Sequence, residues 1–245
     1  MVLKGQAGEK LLESCDAERA PVAKQIVTRA NQSIGETGPI FDALGMDGGV
    51  DPVQMQKNLE ARCNTTPAAE KQREAIRKAI AFKKYEFDAH GVEMNQRHRS
   101  AAIVTDGQIE PSFELDAELH YQPTAWPGAP LPHAWLYRTG GQRVSTLDLC
   151  GHGRFTVLTG LDGKAWIEAT HALAQELGIA IEAHLIGPRQ PHADHAGDWA
   201  RLREISDSGC LLVRPDHRVV WRANRLTDAL QADLRRVLSA ILDRK

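Results

Sequence analysis

The chain has 245 residues, enough for one large domain or two modest ones, so core size is not limiting. Its composition, 42% hydrophobic and 25% charged, excludes low-complexity and collagen-like classes. Basic residues number 30 and acidic residues 32, mixed along the chain for a formal charge of −2, which argues against a nucleic-acid or anionic-membrane surface.

Four widely separated cysteines, Cys15, Cys63, Cys150 and Cys210, form no CxxC pair. They read as reduced thiols of a cytoplasmic protein rather than a disulfide frame or zinc site. No apolar run approaches the roughly 20 residues of a spanning helix, and the polar N-terminus does not read as a signal peptide.

The opening Met1-Val2-Leu3-Lys4-Gly5 reads like a helix cut short. Pro21, after Glu18-Arg19-Ala20, suits the first turn of a helix whose apolar stripe runs through Val22, Ile26, Val27, Ala30 and Ile34. Asp51-Pro52 and Thr66-Pro67 each pair an N-cap with a first-turn proline, and the second predicts a helix from about 68 to 84. The first 85 residues or so thus read as helical hairpins, followed by a strand over Arg99–Val104.

Five of the 12 prolines (Pro111, Pro123, Pro127, Pro130, Pro132) fall within residues 105–132, where helical periodicity is almost lost. An extended surface connector is predicted, pinned by Tyr121, Trp126, Trp135 and Tyr137. Beyond it, Arg154–Gly160 reads as a buried strand. The Trp166, Ile167, Thr170, Leu173, Ala174, Leu177 spacing gives an amphipathic helix stopped by Gly178. Ile179–Ile186 alternates as a second strand, and a short helix is expected around Trp199–Ile205. Cys210–Arg214 and Val219–Ala223 read as a hairpin, and Leu226–Ile241 as a final helix. This order, β-α-β-α-β-β-α, is that of a thioredoxin-like α/β domain with the Phe155 strand at its centre.

The turn after that strand, Gly160-Leu161-Asp162-Gly163-Lys164-Ala165, holds no cysteine, no GxGxxG and no GxxxxGK[ST]. Cys150 lies before the strand, so thioredoxin-type redox activity is disfavoured. His192-Ala193-Asp194-His195 is the densest candidate metal cluster, yet its spacing in a Pro/Gly-flanked segment favours a solvated loop. His133 and His152, beside proline and glycine, read as capping or packing residues. No GxSxG elbow occurs. Glu18-Arg19 reads as an ion pair fixing one helix rather than as chemistry.

Several ordered blocks carry a resemblance. They are Leu11-Leu12-Glu13-Ser14 and Glu18-Arg19-Ala20-Pro21-Val22; residues 85–97, YEFDAHGVEMNQR; residues 121–128, YQPTAWPG; Pro132-His133-Ala134-Trp135-Leu136; Ser145-Thr146-Leu147-Asp148-Leu149 with Gly151-His152-Gly153-Arg154-Phe155; and Leu212-Val213-Arg214-Pro215-Asp216 with Val220-Trp221-Arg222. Over nearly the whole chain this pattern resembles FAD-dependent aromatic-ring monooxygenases of the phenol hydroxylase and 2,4-dichlorophenol 6-monooxygenase group. It departs from that pattern at Cys15, usually Tyr, at Pro130, usually Arg, and at His217, often Gly.

The resemblance implies three regions: 1–104 as the helical remnant of the FAD/substrate domain, 105–132 as a Pro-rich connector, and 133–245 as a thioredoxin-like C-terminal domain lacking CxxC. It implies NADPH- and O2-dependent ortho-hydroxylation of a phenolic ring on FAD, in a homo-oligomer, with no nucleic-acid or membrane partner. The family's GxGxxG, DG and GD segments have no counterpart in the sequence. The chain alone is therefore expected neither to retain FAD nor to hydroxylate, and to depend on an N-terminal FAD-binding half. No catalytic residue and no metal ligand is assigned, and no flavin-binding position can be named. The alternative reading is a non-catalytic thioredoxin-like interaction or oligomerisation module, or a complementing subunit.

Overall fold

The computed structural model describes residues 1–244. They fall into two compact units, one taking Met1–Pro21, Met94–Glu114 and the chain from Gln122 onward, the other Val22–Glu93 and Leu115–Tyr121.

The second unit is helical. It takes most of α1 (Glu13–Gly35), then α2 (Gly38–Leu44), α3 (Pro52–Ala61), α4 (Pro67–Phe82), α5 (Lys84–Phe87) and most of α6 (His90–Met94). The two sequence caps behave as expected. Asp51 accepts from the N–H groups of Val53 and Gln54 at 3.0 and 3.2 Å, and Thr66 from Ala69 at 3.3 Å. Each satisfies donors that a helix start otherwise leaves orphaned. The Lys83 ammonium donates to the Ser33 carbonyl at 2.6 Å and the Thr37 hydroxyl at 2.9 Å, tying α1 to α4. Pro21 is not at a first turn: α1 begins at Glu13 and carries the proline inside, where it removes one i→i−4 bond.

The other unit is α/β. Its strands are β1 (Trp135–Arg138), β2 (Arg143–Ser145), β3 (Phe155–Thr159), β4 (Ile181–Leu185), β5 (His192–Ala193), β6 (Cys210–Val213) and β7 (Val219–Ala223). Its helices are α7 (Thr146–Leu149), α8 (Lys164–Leu177), α9 (Asp198–Leu202) and α10 (Leu230–Ile241). The main sheet has the order β4-β3-β6-β7, with β3 parallel to β4 and antiparallel to β6. Every residue of β3 is buried, as its unbroken apolar and β-branched run requires of a central strand covered on both faces.

Strand alternation divides the core. Phe155, Val157 and Leu212 face Trp166 and Leu173 of α8 and Leu234, Val237 and Leu238 of α10. Leu158, Leu211 and Val213 face Leu136, Leu149 and Trp199, beneath a small antiparallel sheet ordered β2-β1-β5. A fully buried side chain of these types contributes about 1.5–3 kcal/mol, so the strand centre holds the largest share of this unit's stability.

Two sequence expectations change. Arg99–Val104 forms no strand; it turns at Ser100, and only Val104 reaches β7, its N–H donating to the Val220 carbonyl at 2.8 Å. The proline-rich stretch is not a surface strap along its second half, because Ala125, Trp126, Ala129 and Leu131 are buried. Its backbone covers the free edge of β7: Gly128 N–H donates to Val219, Val219 N–H to Ala129, and Leu131 N–H to His217. Covering an edge satisfies groups that would otherwise recruit another strand. Gly128, at φ +99°, lets His98 approach closely; a Cβ there would lie 2.2 Å from the His98 carbonyl oxygen.

Candidate functional site

Glu18, Trp126, Arg214 and Arg222, from the blocks that carried the resemblance, lie at two buried polar nodes of the α/β unit. At the first, α1 presents Glu18, 6% exposed. Its carboxylate accepts Arg214 Nη1 and Nη2 at 2.9 and 2.6 Å, Ser100 Oγ at 2.6 Å and His98 Nδ1 at 2.8 Å. Burial pushes the carboxyl upward, but the bonds from His98, Arg214 and Ser100 and the Arg214 charge outweigh it, holding Glu18 well below the usual range. An ionised carboxylate only accepts, so His98 Nδ1 carries the proton and donates.

Arg214 is delivered by the β6–β7 turn. His217 N–H donates to the Arg214 carbonyl at 3.0 Å, with Pro215 supplying the fixed φ of the turn's second position. His217 then takes φ 64°, the left-handed residue that completes a bulged hairpin, a conformation that favours glycine. Asp216 grips Arg214 Nε and Nη2 at 2.9 and 2.8 Å, so the guanidinium is oriented before it meets Glu18.

The second node centres on Arg222 of β7. Its Nε donates to Asp106 at 2.6 Å, Nη1 to Glu204 at 3.0 Å and Nη2 to Gln108 at 3.2 Å, while the guanidinium lies 4.7 Å from the Trp126 ring centroid. Thr124 ties in by donating to Glu204 at 2.9 Å and accepting from the Trp126 N–H at 3.1 Å. Arg218 donates to the Gln96 carbonyl at 2.8 Å. These nodes cross-link distant segments, and nothing about them presents a nucleophile to a substrate.

The other sequence candidates stay apart from both nodes. Cys150 is buried, and burial pushes its thiol up to about 12, which leaves no thiolate for redox chemistry. Cys210 is also buried, with its thiol likewise raised, whereas Cys15 and Cys63 are exposed. The 192–195 segment is a solvated loop only in its second half, where His195 is exposed. His192 belongs to β5, is 9% exposed, and meets His184 edge-on with centroids 5.0 Å apart. Asp194 accepts the Ala200 N–H at 2.9 Å, and His195 lies 5.0 Å from Tyr137. Among the described residues no group of three His, Cys, Asp or Glu is disposed to hold a metal. His133 packs edge-on against Trp135 at 4.8 Å, and His152 occupies a turn at φ 54°. No described helix is long and apolar enough to cross a membrane.

Sequence reasoning anticipated an ion pair at Glu18 but not its partner. The sequence signal was the Arg-Pro-Asp turn, whose buried arginine demands a carboxylate.

The buried nodes and the layered α/β unit define a class. Residues 124–244 match the family of aromatic-ring hydroxylase C-terminal regions, and the chain belongs to that family, corresponding to the C-terminal portion of FAD-dependent aromatic-ring monooxygenases of the phenol hydroxylase and 2,4-dichlorophenol 6-monooxygenase group. Among its relatives, the 2,4-dichlorophenol 6-monooxygenase of Delftia acidovorans is 52% identical over 97% of this chain and 41% of its own length. The phenol 2-monooxygenase of Pseudomonas sp. (strain EST1001) is 45% identical over 97% of this chain and 39% of its own length. The flavin-dependent monooxygenase PieE, solved in complex with FAD and substrate, superposes on all of this chain and 42% of its own, with a TM-score of 0.92 at 41% identity. The chain thus spans about two fifths of the length of the curated relatives it matches.

The turn after β3 does not fit the pyrophosphate of FAD. The glycine turn before α8 would be the place for a pyrophosphate, yet its Asp162 N–H already donates to the Asp207 carbonyl at 3.1 Å, and Gly163 N–H to Gly160 at 3.0 Å. Thr159 Oγ1 fills the space at Gly163, and a built Cβ would lie 1.7 Å from it.

Proposed function

We propose that this chain serves as the C-terminal part of a flavin-dependent phenol-type monooxygenase, in which NADPH and O2 support ortho-hydroxylation of a phenolic ring. Its own residues supply scaffold rather than chemistry. The observation that carries this reading is the fate of the family blocks: Glu18, Trp126, Arg214 and Arg222 are consumed in buried contacts, Glu18 with Arg214 and Arg222 with Trp126. The glycine turn before α8 offers no cradle for FAD. In the whole enzyme, an N-terminal FAD-binding half supplies the cofactor and the ring site.

The α/β unit is read as a thioredoxin-like domain without CxxC. Support comes from the β4-β3-β6-β7 order, one parallel and two antiparallel pairings, and α8 and α10 on one face. The division proposed for the chain is 1–104 as the helical remnant, 105–132 as the connector and 133–245 as this domain. Its support is the absence of helix and strand over 105–132, all of whose residues are described.

The test is flavin retention and turnover by the purified chain. We expect no visible flavin absorbance after gel filtration with excess FAD, and no phenol-dependent NADPH oxidation. Stoichiometric flavin binding would overturn the scaffold reading. A second reading, a non-catalytic interaction or oligomerisation module, is favoured by exposed apolar residues of the helical unit, Ile34 at 77% and Phe87 at 76% among them. Co-expression with a relative's FAD-binding half distinguishes the two: restored hydroxylation supports the monooxygenase role, and association without hydroxylation supports the module.

A further inference from the structure

Where β5 closes the small sheet, the α/β unit gathers titratable side chains that neither node uses. Arg138 of β1 and His192 of β5 are register partners, so guanidinium and imidazole share one face of that sheet. His184 of β4 meets the His192 ring edge-on, with centroids 5.0 Å apart. Glu182, also on β4, supplies the carboxylate: its Oε2 lies 2.6 Å from Arg154 Nη2 and 3.3 Å from His184 Nε2. Asp194 accepts the Ala200 N–H of α9, and His195 lies on the Tyr137 ring. His192 itself is buried, and its Nδ1 has no partner.

A proton on His192 would create a buried cation facing Arg138 and His184, with no acceptor at Nδ1. Glu182 is already shared between Arg154 and His184. A buried charge without its own partner is costly, so the closed arrangement holds His192 as the neutral ring. Burial, His184 and Arg138 accordingly lower its pKa to about 4, against the pull of Glu182. Because the folded value lies below the ordinary 6.5, this contribution is complete above pH 6.5 and falls away between 6.5 and 4.

The element that carries His192 is also lightly held. β5 has two residues. Besides its pairing with β1, the segment is tied by Gly187 N–H to the His192 carbonyl at 2.9 Å and by Thr139 N–H to the Pro191 carbonyl at 3.3 Å. So few bonds make local opening cheap. On opening, His192 meets water and can take its proton, and β1 keeps β2 but loses its other neighbour, which leaves an edge of unpaired backbone groups.

We propose that β5 is an acid-released latch: with His192 neutral it closes against β1, and protonation of His192 frees it and bares the β1 edge while the four-stranded sheet stays closed. The latch lies outside both nodes and stands whether or not the chain works within a monooxygenase.

Native-state hydrogen exchange of the 245-residue chain at pH 7 and pH 5, corrected for the intrinsic rates, tests this. The opening constant read at the Gly187 and Thr139 amides should rise about twentyfold, the change produced by a pKa of 6.5 when open and about 4 when closed. Amides of 155–159 should keep their protection. His192→Leu, which removes the titrating ring and leaves an apolar side chain, should abolish the rise. An undiminished rise in that variant would overturn the proposal. So would no rise in the unaltered chain, or an equal loss at 155–159, which would make the event global unfolding. A titration of the His192 ring by NMR needs no variant and should find its midpoint well below the ordinary 6.5. A midpoint at 6.5 with Gly187 still protected would show that the closed form accepts the proton, and the latch would be refuted.

Discussion

A carboxylate buried as deeply as Glu18 costs several kcal/mol in lost hydration, which its four hydrogen bonds offset only as a complete set. Removing one charge should therefore harm the protein more than removing both. Glu18→Gln leaves Arg214 buried with only Asp216 opposite, and we expect a loss of about 3–5 kcal/mol in urea unfolding. The pair Glu18→Met with Arg214→Met should recover much of that loss, because apolar groups of similar volume need no partner. Acid dependence supplies a second readout. The folded-state pKa of Glu18 is depressed, so its contribution is complete above the ordinary carboxyl value near 4.5 and is lost as pH falls below it. The melting temperature of the native chain should drop through that window, with a shallower drop in Glu18→Gln. Parallel profiles would show that the node carries no net electrostatic stability.

Local structure follows most closely where one side chain acts on its neighbours. Asp51 and Thr66 are caps because each reaches an N–H two or three residues ahead, and the proline that follows each already has helical φ. Asp51→Ala, which loses two bonds, should cost about 1–2 kcal/mol, and Thr66→Ala, with one bond at 3.3 Å, about 0.5–1 kcal/mol. The helix signal at 222 nm during urea unfolding measures both, and a larger loss for Thr66→Ala would reverse the ranking. The same locality made α8 and the β6–β7 hairpin legible in the sequence. Elements that depend on distant partners were not. Ser100 and its neighbours carry strand-like residues, but the Ser100 hydroxyl is committed to Glu18, 82 positions away, and the backbone turns there. β1 and β2 have only four and three residues, too few for a clear alternation. Their pairing is set by the core beneath them. Glu18 and Arg214 lie 196 positions apart, so the charges were legible and their meeting was not.

Burial differs sharply between the two units, each taken by itself. In the α/β unit β3, β6 and β7 are buried at every residue, and α10 adds Leu234, Val237, Leu238 and Ile241. In the helical unit, α2 and α3 bury no residue and α4 buries only Ala69 and Ala79. Ile26, Val27, Ile34, Phe41, Phe82 and Phe87 are 47–77% exposed there. Few buried apolar contacts mean a low free energy of local opening, while amides in a covered central sheet exchange only through global unfolding. Native-state hydrogen exchange should therefore find slow amides at 155–159, 210–213 and 219–223, with amides of α2, α3 and α4 exchanging orders of magnitude faster. The exposed apolar residues add a concentration dependence, because contiguous apolar surface drives association. Sedimentation should show self-association that weakens on dilution, and protection in α1 and α4 should rise as the protein is concentrated. A monomer at every concentration with equal protection in both units would show that the helical unit is stable without cover, and the scaffold reading would lose its structural motive.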